Sequence, residues 1–122
     1  MSGTYRDLKI WQAAMEMVRD VYRLTREFPR EETYGLTIQL RRAAVSIPSN
    51  IAEGKGRSSD KELLHFLSNA NGSLFEVETR VMIAESLGYL THSQGEGLLS
   101  QTAQLGRLLN GLMKAFRTIP AA

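Results

Sequence analysis

The sequence predicts an all-α protein: an antiparallel up-down-up-down four-helix bundle forming one domain over residues 1–122. Three observations carry this. Apolar residues recur at spacings of three and four through four segments, the period of an amphipathic helix. No window alternates with a period of two in β-branched residues, so no strand is expected. The turns between segments are short, which makes successive helices reverse direction. The expected helices cover residues 8–28, 34–53, 59–87 and 93–118.

In the first segment Trp11, Ala14, Val18, Val21, Thr25 and Phe28 form one apolar seam, with Ile10, Met17 and Leu24 beside it. Pro29 ends the helix, because the residue before a proline is pushed out of the α region. The second segment is lined by Leu36, Leu40, Ala43, Ile47 and Ile51. Pro48 cannot donate to the carbonyl of Ala44, so a kink or a restart is expected there. Gly54 and Gly56 are expected to end the helix in the left-handed conformation of a C-cap.

Ser59-Asp60-Lys61-Glu62 reads as a capping box opening the third helix. That helix continues through Leu63, Phe66, Leu67, Ala70, Leu74, Val77, Val81 and Ala84 to Leu87, with Gly88 as its C-cap. Ser93-Gln94-Gly95-Glu96 is a second capping-box candidate. It opens a helix lined by Leu98, Thr102, Leu105, Leu109, Leu112 and Phe116, with Pro120 beyond its end.

The 122 residues contain no cysteine, which excludes disulfides and thiolate metal sites. Fifteen Lys and Arg against thirteen Asp and Glu leave a charge of +2, a mild basic lean. No apolar run approaches the roughly 18 residues of a membrane span, so no membrane partner is expected. The N-terminus lacks the apolar core of a signal peptide, and a cytoplasmic location is expected. The first and fourth helices carry apolar arcs wider than one core-facing stripe needs, the fourth through Leu99, Leu108 and Met113. Exposed on a monomer, such surface is an aggregation liability, so a homo-oligomer is expected.

Chemistry finds little support. A di-iron bundle needs two Glu-x-x-His motifs and two further inward glutamates, whereas Glu62-Leu63-Leu64-His65 stands alone. The other histidine, His92, has Tyr89 three residues before it. There is no Gly-x-Ser-x-Gly elbow. Gly54-Lys55-Gly56-Arg57-Ser58-Ser59 lacks both the Walker spacing and a preceding strand. It reads either as a solvated turn or as a weak anion site at a helix N-terminus. No catalytic residue, metal ligand or cofactor is nominated, and a non-enzymatic protein is expected.

Two polar constellations remain. Gln39, Arg42, Ser46, Asn50 and Glu53 form a stripe on the second helix, and Asn69, Ser73, Glu76 and Arg80 form one on the third. Facing each other, they would make a hydrogen-bonded ladder within or between subunits, with Arg42 and Glu76 as its charged pair; alternatively both face water. Arg19, Arg23 and Arg26 share a flank of the first helix, with Arg30 just past its end. Such a ridge contacts phosphates without reading sequence. Glu16, Asp20 and Glu27 are close enough to pair with it, so a salt-bridged solvated face is the competing reading. No aromatic residue is expected to interleave with these arginines. Arg41, Lys55, Arg57 and Lys61 form a second basic group around the turn between helices two and three.

The run from Gln39 to Gly54, QLRRAAVSIPSNIAEG, is more particular than a generic helix. With Phe66-Leu67, Gly72-Ser73-Leu74-Phe75-Glu76-Val77-Glu78 and Leu87-Gly88-Tyr89-Leu90, it resembles the bacterial four helix bundle proteins encoded in 23S ribosomal-RNA intervening sequences. Asp7-Leu8, Trp11-Gln12, Phe28-Pro29 and Tyr34-Gly35-Leu36 are also similar to that family. The resemblance implies a ring-like homo-oligomer, a pentamer, with no enzymatic activity. The accessory variability proteins of diversity-generating retroelements are similar in fold, and there a basic surface binds nucleic acid; that parallel is an analogy of fold alone. The function expected is therefore a binding one, with RNA or a ribonucleoprotein as partner. The alternative is a protein-protein interaction scaffold with no nucleic-acid role.

Overall fold

The structure, a computed structural model, describes residues 4–117. Four α-helices account for most of them: α1, Lys9–Thr25; α2, Ile38–Lys55; α3, Asp60–Ser86; and α4, His92–Arg117. No strand is present among the described residues. Expected helix residue Thr118 and the trailing Pro120 lie outside them.

Each boundary has a local cause. A short 3-10 turn, Tyr5–Asp7, precedes α1, and the Thr4 and Asp7 side chains cap it reciprocally. α1 stops at Thr25, three residues short of expectation. The chain tightens there, with the N–H groups of Glu27 and Phe28 bonding to the carbonyls of Leu24 and Thr25. Phe28 thereby leaves the helix and packs against the Tyr89 ring, 5.5 Å away. A 3-10 turn at Arg30–Glu32 follows, then a wide turn at Thr33–Thr37 in which Gly35 is non-helical. α2 consequently begins at Ile38, later than the expected residue 34. The Glu32 carboxylate holds this link, accepting from the Leu36 N–H (3.0 Å) and the Tyr89 hydroxyl (3.1 Å).

α2 runs unbroken through the buried Pro48, so the expected restart does not occur. The glycine expectation is also corrected. Gly56 follows α2 at φ −83°, a right-handed conformation, and Gly54 is buried inside the helix. Its missing side chain serves packing: a Cβ there would sit 3.0 Å from the Cβ of Phe66 and 3.1 Å from Cδ1 of Leu63. Among the described residues, positive φ occurs only at Gly88 (79°). The N–H groups of Gly88 and Tyr89 return to the carbonyls of Glu85 and Ala84, a Schellman end for α3. Ser59 caps α3 as expected. α4 is capped by Thr91 rather than Ser93. The Gln94 N–H donates to Thr91 Oγ1 (3.0 Å), and the Thr91 N–H donates to Gln94 Oε1 (2.9 Å).

α2 packs against α1 and α3, and α4 completes the bundle against the same two. One small cavity is lined by Leu8, Lys55, Leu63 and Phe116, so the start of α1, the α2–α3 turn and the end of α4 share one end of the molecule. The core is continuous through all four helices, with Ala14, Met17, Leu40, Ile47, Leu67, Val77 and Leu109 fully or almost fully shielded. It also absorbs most of the wide apolar arcs. Ile10, Met17, Leu24 and Met113 are buried, while Leu99 and Leu112 pack against the core, leaving Leu108 exposed. The larger exposed apolar surface lies elsewhere, at Phe75, Met82, Ile83 and Leu87 and at Tyr34.

Candidate nucleic-acid interface

The two polar stripes meet, but only at their centre. The Ser46 and Ser73 hydroxyls are 2.8 Å apart across α2 and α3, and Asn50 Nδ2 donates to Ser46 Oγ (2.9 Å) and to the Ser46 carbonyl (2.8 Å). Gln39, Arg42, Glu53, Asn69 and Glu76 are exposed on the chain. The Arg42–Glu76 pair does not form; Glu76 approaches Arg80, one turn along its own helix, at 3.6 Å. Glu53 likewise pairs within its own surface, with Arg57 at 2.7 Å. Helix rotation explains this: stripes spaced by three and four converge where the helices touch, and their long charged members turn outward.

The basic residues fall on two separate surfaces. Arg19, Arg23, Arg26 and Arg30 occupy the C-terminal half of α1 and its exit, all exposed. Arg23 is bound to Asp20 (3.3 Å), whose other oxygen accepts from Gln101 of α4 (3.0 Å). One expectation is overturned, because Tyr22 stands between Arg19 and Arg26 and is exposed. The guanidinium of Arg41 stacks on its ring at 4.5 Å. Arg41 also donates to Thr25 Oγ1 (2.8 Å) and to the Tyr22 carbonyl (3.4 Å), so it ties α2 to the end of α1 instead of standing free. Its i+3 spacing from Arg19 would have revealed Tyr22 in the sequence.

The second surface surrounds the α2–α3 turn. Arg57, Lys61, Glu62, His65 and Phe66 line an open depression of about 550 Å³. The Arg57 guanidinium lies over the Phe66 ring at 4.7 Å, and His65 meets that ring edge-on at 5.4 Å. Glu62 is engaged in the Ser59 cap, its N–H bonding to Ser59 Oγ at 3.2 Å. Lys55 and Lys61 are exposed.

Charge is divided between the ends. Around the α2–α3 turn, the start of α1 and the end of α4 lie Arg6, Lys9, Lys55, Arg57, Lys61, Lys114 and Arg117 against Asp7, Glu53, Asp60 and Glu62. Toward the other end lie Asp20, Glu27, Glu31, Glu32, Glu85 and Glu96, beside the arginines of α1. There His92 joins two of them: Nδ1 is 2.8 Å from Glu85 and Nε2 is 3.4 Å from Glu96. The hydrogen bond to Glu85, followed by the charge of Glu96, raises the His92 pKa above its usual value. Among the described residues, no group of three or more His, Cys, Asp or Glu is placed to hold a metal ion. No helix among them is long and apolar enough to cross a membrane.

A solved structure described as a protein of unknown function from the S23 ribosomal protein family of Bacteroides thetaiotaomicron VPI-5482 is similar to this chain, with a TM-score of 0.78. The match covers 86% of this chain and 98% of that one at 19% sequence identity, a likeness of fold. No curated protein matches the chain. The profile of the 23S rRNA-intervening sequence protein matches residues 6–111, a span that takes in α1 through most of α4. By that match the chain belongs to the 23S rRNA-intervening sequence protein family.

Proposed function

We propose that this protein is a non-enzymatic, up-down-up-down bundle that self-associates into a ring and binds single-stranded RNA at the end carrying the α2–α3 turn. The observation that carries the reading is the depression of Arg57, Lys61, His65 and Phe66 on the end richer in cations. Cations there neutralise phosphates, and a stacked guanidinium and aromatic ring offer a base a flat surface. The N-terminus of α3 adds its partial positive charge. The flank of α1 is the weaker candidate, because its arginines share their surface with Asp20, Glu27 and Glu31, and Arg23 is bound to Asp20. A single chain of charge +2 binds phosphates weakly. Several copies in one assembly multiply that affinity without new contacts. Assembly would also cover the apolar residues of α3 that stand exposed on the chain.

Fluorescence anisotropy with a labelled, unstructured single-stranded RNA tests the proposal. Binding is expected at about 50 mM salt and should weaken steeply by about 200 mM, as condensed counterions cease to drive it. Arg57→Gln with Lys61→Gln should abolish it, while Arg19→Gln, Arg23→Gln and Arg26→Gln together leave most of it. Loss only in the triple variant would move the site to α1. No binding at low salt would favour a second reading, a protein-protein interaction scaffold, which the same exposed apolar residues of α3 support.

A further inference from the structure

Phe75, Met82 and Ile83 stand on one face of α3 with 60%, 53% and 42% of their surface exposed. Phe75 and Ile83 border a depression on the α2–α3 side of the bundle, shared with Gln39, Glu76 and Arg80. On the α1–α2 side is a groove of about 340 Å³ lined chiefly by Trp11, Met15, Val18, Val45 and Pro48. One chain thus carries an apolar ridge and an apolar groove, both unfilled among the described residues.

We infer that the groove between α1 and α2 receives the α3 ridge of a second copy of this chain. The inference rests on the self-association proposed above and names its two faces. Three features point to a second copy. The lengths agree, since Phe75 to Ile83 spans about 12 Å of helix and Trp11 to Val18 about 10 Å. The charges are opposite. Glu76 flanks the ridge with 56% of its side chain exposed, its 3.6 Å contact with Arg80 leaving it open to a further cation, whereas Arg19 and Arg42, exposed beside Val18 and one turn before Val45, form no ion pair among the described residues. The surfaces also lie on different sides of α2, so ridge-in-groove contact is head-to-tail, and each pair so joined keeps one free groove on one copy and one free ridge on the other. Because these sides adjoin rather than oppose each other, successive copies turn about an axis, the condition for a closed ring rather than a straight filament.

The test uses light scattering at micromolar concentration on the wild type, Phe75→Glu, Val45→Glu and an equimolar mixture of the two variants. Both positions are exposed on the chain, and unchanged helical circular dichroism verifies folding. If either variant fails that control, Met82→Glu or Ser49→Arg replaces it on the same face. The wild type is expected as an oligomer, each variant alone as a monomer, and the mixture as a dimer with no larger species. Only one intact ridge and one intact groove remain in that mixture, on different chains. A wild-type monomer would remove the self-association reading itself. An oligomeric wild type whose variants keep its mass would overturn this docking alone. Loss of assembly in Phe75→Glu but not in Val45→Glu would replace it with ridge-to-ridge contact.

Discussion

The hydroxyls of Ser46 and Ser73 lie 2.8 Å apart where α2 crosses α3, and Ser73 is 9% exposed. Small polar groups at this contact let the helices approach while satisfying each other. A buried hydroxyl deprived of its partner loses about 1 kcal/mol, whereas replacing both partners with apolar groups approaches neutrality. Ser73→Ala alone should therefore cost about 1 kcal/mol, and Ser46→Ala with Ser73→Ala should cost less than the sum of the two. Denaturant unfolding of the four proteins in the cycle measures the coupling; strict additivity would show that the contact contributes nothing specific.

Gly54 gives a sharper contrast. Alanine is intrinsically favoured over glycine in a helix interior by about 0.5–1 kcal/mol. At Gly54 the added methyl meets the Cβ of Phe66 at 3.0 Å, an atom that moves only with its backbone. Gly54→Ala should destabilise by about 1–3 kcal/mol, the usual range for overpacking. At Gly111 of α4 nothing lies within 4 Å of a Cβ, so Gly111→Ala should instead raise the thermal midpoint. Equal shifts of the same sign in both variants would contradict the close approach of α2 and α3.

The four helices were legible because burial repeats at helical spacing: Ala14, Met17 and Val21 in α1, or Leu67, Ala70 and Leu74 in α3, are the residues the core encloses. Their exact ends were less so. Thr91 and Ser93 are both competent caps, and the choice falls to the earlier one because the Schellman turn at Gly88 fixes where the chain leaves α3. The polar stripes told which residues share a face but not how far that face is rotated, so Ser46 was placed correctly against α3 and Arg42 was not. The division of charge between the two ends was invisible in the linear sequence. It emerges only when the fold brings Lys55 beside Leu8 and Phe116.

Arg41 and Arg42 are adjacent and chemically identical, yet about 100° of helix rotation separates their fates. Arg41 holds the Thr25 hydroxyl at 2.8 Å and covers the Tyr22 ring, while Arg42 is exposed. Arg41→Ala should cost about 1–2 kcal/mol, from a charge-assisted hydrogen bond and a cation–π contact. Arg42→Ala should change the stability of the isolated chain by about 0.5 kcal/mol or less. Denaturant titration of both variants checks this. A larger loss at Arg42 would reverse the assignment.

His92 makes stability depend on pH in a predictable direction. Its ring bridges Glu85 and Glu96, and the Glu85 carboxylate reaches over the first turn of α4, where a side chain at Gly95 would collide with it. The bond to Glu85 and the charge of Glu96 raise the His92 pKa in the folded protein above the ordinary histidine value of about 6.5. A raised value means that the folded state holds the proton more tightly than the unfolded chain. The resulting stabilisation is complete below the unfolded pKa, near 6.5, and is lost as pH rises through the folded value. His92→Gln should therefore be less stable than the wild type between about pH 5 and 6.5, and should converge with it in alkaline solution. The exposed ring keeps the effect small, so the readout is the pH dependence of the difference between the two denaturation midpoints. A difference that is constant across that range, or that grows as pH rises, would show that His92 acts through packing rather than through its proton.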